Sequence, residues 1–174
     1  MDPNFQNMNK EAILTFETFG DQPFLKISNL ETMRPFFMSI VSDSDHWMFI
    51  SSNGGLSAGR KNAENALFPY YTDDKITEFA DITGSKTIFQ LHGSEQIIWE
   101  PFSNRNLSSL KRKSNIYKST YGNIIVFEEI LVDYQLIFRY AWTSSDQFGF
   151  VKTSTIINNG TQIQDITLLD GIMF

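Results

Sequence analysis

From Tyr134 to Trp142 the chain alternates strictly. Tyr134, Leu136, Phe138, Tyr140 and Trp142 fall on one side, and Gln135, Ile137, Arg139 and Ala141 on the other. Period two over such a run is the mark of a strand with one buried face. Asn123 to Ile130 precedes it across Leu131-Val132-Asp133 and reads as its hairpin partner. Phe148 to Ile157 follows Thr143-Ser144-Ser145-Asp146-Gln147, with Val151, Thr153, Thr155 and Ile157 on one face. Asn158-Asn159-Gly160 then carries hairpin chemistry, because Asn and Gly tolerate positive φ, and a last strand is expected from about Thr161 to Asp170. The pattern thus predicts four consecutive antiparallel strands in the C-terminal third.

Shorter strand-like runs fill the first two thirds: Ile13 to Phe19, Phe24 to Ser28, Phe36 to Val41, Trp47 to Ser51, Lys86 to His92, Gln96 to Glu100 and Asn115 to Tyr121. Gly20-Asp21, Asn29, Ser42-Asp43-Ser44-Asp45, His92-Gly93-Ser94-Glu95 and Gly122-Asn123 punctuate them. Strands with turns at this spacing predict a sandwich or barrel. Lys10 to Thr18 alone could pass as a helix, and its β-rich neighbours argue against that. Two stretches break the rhythm. Ser51 to Asp74 reads as a long glycine-bearing loop containing Phe68-Pro69-Tyr70-Tyr71, and Ser103 to Ser114 as a basic loop with no acid. Loops of such length are usually functional, and the aromatics argue against disorder.

Composition agrees. The 174 residues include 16 Phe, 6 Tyr and 3 Trp, and Ile, Thr and Val together outnumber Ala and Leu twofold, 36 against 18. β-branched and aromatic side chains suit a pleated surface; Ala and Leu suit helices. The length fits one domain spanning 1–174. No cysteine is present, which excludes a disulfide framework, a thiol nucleophile and cysteine-held metal. The net charge of −6 argues against a general nucleic-acid surface, since phosphate binding relies on Lys and Arg. With no secretory leader at the start and no apolar run long enough to span a bilayer, a soluble cytoplasmic chain without a membrane partner is expected.

Candidate chemistry is sparse. His46 and His92 lie in no metal-ligand spacing and lack a nucleophilic serine motif, so both read as structural and no metal or other cofactor is expected. Glu128 and Glu129 could supply an acid and a base, but neighbours on a strand point to opposite faces and cannot share a site. Asp73-Asp74 reads as the start of the segment at Lys75. Ser52-Asn53-Gly54-Gly55-Leu56 lacks the ending of a P-loop and reads as a turn. Lys111-Arg112-Lys113 reads as a solvated run. The aromatic loop with Trp99 is different. Sugar rings present apolar C–H faces that stack on Tyr and Trp, while Asn, Asp and Arg bond the hydroxyls. Tyr70, Tyr71 and Trp99 are the stacking candidates, and Arg60, Asn65 and Asp73 the hydroxyl-bonding ones. Core packing of the loop is the competing reading.

The order of short motifs carries a resemblance. Asn53-Gly54, Arg60, Asn65-Ala66-Leu67-Phe68-Pro69-Tyr70-Tyr71-Thr72-Asp73-Asp74 and Trp99-Glu100-Pro101-Phe102 succeed one another. Tyr121-Gly122-Asn123, Phe127-Glu128, the strand Leu136 to Trp142, and Lys152 to Thr155 ahead of Ile157-Asn158-Asn159-Gly160 follow. Together, over roughly Asn29 to Gly171, they resemble the N-terminal β-sandwich domain of cellobiose- and chitobiose-phosphorylase-like proteins. The resemblance implies a two-layer antiparallel supersandwich of galactose-mutarotase type. It also implies a carbohydrate ligand, dimer contacts, and a companion helical domain that holds the catalytic acid and phosphate site. No catalytic residue can therefore be placed in this chain. The family's Arg- and Trp-rich loop appears here as Ala66-Leu67-Phe68-Pro69-Tyr70-Tyr71, so the sugar stays open.

A strand from Ile163 to Leu169 close to the last residue, without a capping turn, suggests a truncated sandwich. The expectation is a fragment of a larger chain, or a dimer formed through an exposed edge. Two rival functions stand beside the scaffold reading. One is a mutarotase-like epimerase using His46, His92 and Glu128; the other is a free-standing carbohydrate-binding domain.

Overall fold

The computed structural model describes residues 11–42, 44–68, 72–93, 95–103 and 110–174. Twelve strands are found among them: β1 (Ile13–Phe19), β2 (Gln22–Ser28), β3 (Phe37–Ile40), β4 (His46–Ser51), β5 (Leu56–Arg60), β6 (Gly84–His92), β7 (Ile97–Trp99), β8 (Arg112–Ser119), β9 (Ile124–Leu131), β10 (Leu136–Ser145), β11 (Gly149–Asn158) and β12 (Asp165–Met173). One helix, α1 (Asp73–Glu78), follows β5. One layer is a six-stranded sheet in the order β1-β2-β8-β9-β10-β11; the other is built from β12-β6-β7 and β3-β4-β5, and every ladder is antiparallel. The fold is a two-layer antiparallel β-sandwich.

Alternation explains the core. Leu136, Phe138, Tyr140 and Trp142 of β10 point inward with Ile125, Phe127 and Leu131 of β9 and meet Ile50, Leu56, Phe89, Leu91 and Trp99 of the facing layer. Phe127 and Tyr140 stack at 4.7 Å, and Phe89 and Trp99 at 4.8 Å. Both are cross-strand pairs within one layer, and Phe138 meets Phe89 edge-on across the layers at 5.2 Å. Rings packed this way exclude water over a large area, which is the main stabilising term of such a sandwich.

Three expectations need correction. The stretch after Ser51 is not a long loop: Ser52 to Gly55 turns tightly and β5 returns against β4, with Ile50 opposite Leu56 and His46 opposite Arg60. α1 was not anticipated either; Thr72 precedes it, and the Asp74 carboxylate accepts the Lys75 amide at 2.9 Å. Third, β12 does not form a hairpin with β11. It crosses to the second layer and pairs with β6, from Asp165 opposite His92 to Met173 opposite Gly84. Neither Asn159 nor Gly160 is among the described residues with positive φ, so the tight turn their composition favours is not made. Asn158 holds the wider crossing instead, bonding the Gln162 carbonyl and the Gly160 amide, each at 2.9 Å.

Asp170 straps β12 in place. Its Oδ1 accepts from Thr87 Oγ1 of β6 and from Lys152 Nζ of β11, both at 2.6 Å, so one carboxylate ties two sheets together. Partial burial pushes its pKa upward, but the bonds from Lys152, Thr87 and Ser154 prevail and hold it below the ordinary 3.8. A depressed carboxyl contributes stability above its unfolded value and loses it as pH falls through the folded one. Amide exchange in β12 is therefore expected to accelerate below about pH 4 before that of β9 and β10 does. Asp170→Asn should show the same selective acceleration at neutral pH.

Candidate functional site

Where β10 turns into β11, the rim of the sandwich opens into a cleft of about 370 Å³. The β10–β11 turn supplies Asp146, Gln147, Phe148 and Gly149. β4 and β5 supply His46 and Arg60, the segment after β5 Leu67 and Phe68, and the end of β12 Ile172 and Phe174; Trp142 and Phe150 complete the lining. Phe68 and Phe174 stack at 4.9 Å with planes 17° apart, so buried Phe68 backs the largely exposed Phe174 ring. Phe148 stands in a polar turn with 73% of its surface exposed. An exposed phenyl group there contributes nothing to the core, so its value lies in what it can contact.

Polar groups ring these faces. His46 Nδ1 lies 2.5 Å from Ser44 Oγ, which fixes the imidazole, and the His46 ring meets Phe150 edge-on at 5.2 Å. Gly149 has φ +74°, and a side chain there would come within 3.3 Å of His46 Nε2, so glycine keeps the His46 edge of the cleft clear. Arg60 donates from Nε and Nη2 to Asp45 Oδ1 at 3.1 and 3.0 Å, and those bonds hold the Asp45 carboxyl below its ordinary value. At the cleft wall the indole N–H of Trp142 has no hydrogen-bond partner among the described residues. A buried donor without an acceptor costs stability, and such sites mark where an outside acceptor would be stabilising.

The six residues proposed from the sequence do not form one site. Arg60 lines the cleft. Asn65 sits on the short 3-10 turn Ala63–Asn65 after β5, with Nδ2 on Asn62 Oδ1 at 2.6 Å, beside the cleft but not in its wall. Asp73 opens α1. Tyr70 and Tyr71 lie outside the described residues. Trp99 is fully enclosed, packed on Phe89, with Nε1 donating to Glu129 Oε1 at 2.8 Å, so neither of its faces can receive a sugar. For Trp99 the core reading is the one the geometry gives.

The two carboxylates diverge, as neighbours on a strand must. Glu129 faces the interior and accepts from Trp99, the Phe102 amide and Arg112, at 2.8, 2.9 and 3.3 Å. Arg112 therefore belongs to β8 and to a buried ion pair, not to a solvated loop. Glu128 faces the other way, held by Asn115, Tyr117 and Arg139. The epimerase trio is scattered as well. His46 borders the cleft, Glu128 is buried behind the large sheet, and His92 bonds Thr167 at the far end of β6 from the cleft. Eight residues of strand put His92 roughly 26 Å from the Gly84 end. No general acid–base pair is assembled from these three.

Most of the lining carries no sequence signal for a site: Trp142, Phe148, Phe150 and Phe174 read as strand or terminal residues, and His46 reads as structural except in the epimerase alternative. One local signal was available, the phenylalanine set in Asp146-Gln147-Phe148-Gly149. No protein-family model matches this sequence, and none of the curated proteins compared with it gives a significant match. No described helix is long and apolar enough to cross a membrane.

Proposed function

We propose that this chain is a non-catalytic β-sandwich module of a carbohydrate-active, glycoside-phosphorylase-like protein, and that it holds a sugar ring in the cleft at the β10–β11 turn. The observation that supports this most is the pairing of two exposed aromatic rings, Phe148 and Phe174, the latter backed by buried Phe68, with a polar rim of His46, Arg60, Asp146 and Gln147. Pyranose rings offer that combination of apolar faces and equatorial hydroxyls. The ordered motifs that resemble the phosphorylase-like sandwich support the same reading. In it the chemistry belongs to a companion helical domain, and this chain shapes one wall of the sugar path.

Titration calorimetry with cello- and chito-oligosaccharides tests the proposal. Phe148→Ala should weaken binding about tenfold with the fold intact, as expected from loss of one stacking ring, while the purified chain turns over no disaccharide with or without phosphate. Undiminished binding by the variant, or turnover by the isolated chain, would refute it.

A further inference from the structure

The large sheet has a second face, turned away from the sandwich core. Phe19 of β1 and Arg139 of β10 are four strands apart in the sheet order, a distance of about 19 Å in a flat sheet. Yet the Arg139 guanidinium lies 5.4 Å from the Phe19 ring centre. The sheet must therefore curl toward this face and make it concave. In the hollow lies a groove of about 280 Å³, with Phe19, Phe24, Ile124 and Val126 as apolar walls and Gln22, Thr153 and Thr155 as polar ones.

Arg139 stands in this groove as a preorganised donor. Its Nε donates to Glu128 Oε2 at 2.5 Å. The other oxygen of Glu128 is occupied by Asn115 Nδ2 at 2.6 Å and Tyr117 Oη at 2.8 Å, so the carboxylate cannot swing to take the rest of the guanidinium. Phe19 supports its face. The two terminal amino groups make no hydrogen bond among the described residues, and about 30% of the side chain remains exposed. The neighbouring charges on this face, Glu17 and Lys26, neutralise one another at 2.8 Å.

We infer that this groove is a second binding site, separate from the aromatic cleft, for a small organic carboxylate with an apolar body. The planar pair of Nη groups matches the two oxygens of a carboxylate. Glu128 already balances the charge of Arg139, so recognition rests on these directed hydrogen bonds, with Phe19, Phe24 and Val126 receiving the apolar part. Because the site lies across the sheet from Trp142 and Phe148, it does not depend on sugar binding.

Benzoate is the probe, and benzyl alcohol its uncharged counterpart with the same ring. Nitrogen-15 NMR of the arginine side chain should show the Arg139 Nε–H resonance moving saturably with benzoate, and benzyl alcohol binding about tenfold more weakly. Arg139→Lys keeps a cation against Glu128 but removes the fork, and should weaken benzoate about tenfold. Phe19→Ala, at the sheet edge, gives an independent reading should the lysine variant fail to fold, and should weaken benzoate too. Equal affinity for the two probes, unchanged benzoate binding in a folded variant, or no saturable shift would overturn the inference.

Discussion

Glu129→Ala should lower the free energy of unfolding by about 3–5 kcal/mol, a large share of the roughly 5–15 kcal/mol that holds a domain together. The carboxylate is almost wholly buried and gathers the Trp99 indole, the Phe102 amide and the Arg112 guanidinium. Removing it strands a largely buried cation and two donors at once, which costs more than the ion pair itself contributes. Glu129→Gln should cost less, because it keeps the shape and an acceptor for Trp99 without a buried charge. The pH dependence separates the two effects. Burial pushes the Glu129 carboxyl above its ordinary 4.5 despite the opposing pull of Arg112 and Trp99. A raised carboxyl gives stability that is complete below its unfolded value and lost as pH rises through the folded one. Wild type minus Glu129→Gln, compared by urea unfolding from about pH 4 to 8, should therefore decline with pH. The sign is opposite to that of Asp170, so the two groups can be told apart by titration.

The second large effect is expected at Gly55. A β-carbon there would run into the carbonyl oxygen of Ile76 in α1 and lie 3.0 Å from Ser51 Oγ. The obstacle is helix backbone, which cannot step aside as a flexible side chain does. Gly55 N and its carbonyl also bond the Ser51 hydroxyl and amide, so the turn cannot shift without losing them. Gly55→Ala should cost about 3 kcal/mol, seen as a fall of roughly 10 °C in Tm. Gly171→Ala, whose added β-carbon would meet nothing and whose backbone, like that of Gly55, is not at positive φ, is the control and should cost far less.

What the sequence revealed follows from how local each signal is. The β8–β9–β10–β11 meander was legible because its side chains alternate over long runs and its turns carry Gly122 and Gly149 at positive φ. β5 was hidden because Ser57, Ala58 and Gly59 have little β character. They form a strand because only small residues fit there: a β-carbon on Gly59 would come within 2.6 Å of the Asn65 carbonyl. α1 is six residues long, too short to display a helical period. β12 reads correctly as a strand, but its choice of β6 over β11 depends on Asp170 meeting Thr87 and Lys152, a contact that no adjacent residues announce. Trp99 looked like a ligand platform in its own neighbourhood, and its burial is decided by Glu129, thirty residues on. The cleft is the extreme case. His46, Arg60, Phe68, Trp142, Phe148 and Phe174 come from six different elements and connections, and no spacing rule connects them.

The cleft carries the proposed function. Its most direct test is a two-dimensional NMR titration of the chain with an oligosaccharide, following the indole N–H of each tryptophan. The Trp142 resonance should shift saturably, together with the amides of Gln147 to Phe150, while that of Trp99 stays fixed against Glu129. A saturable shift centred on Trp99, or no shift at Trp142 at saturating sugar, would contradict it.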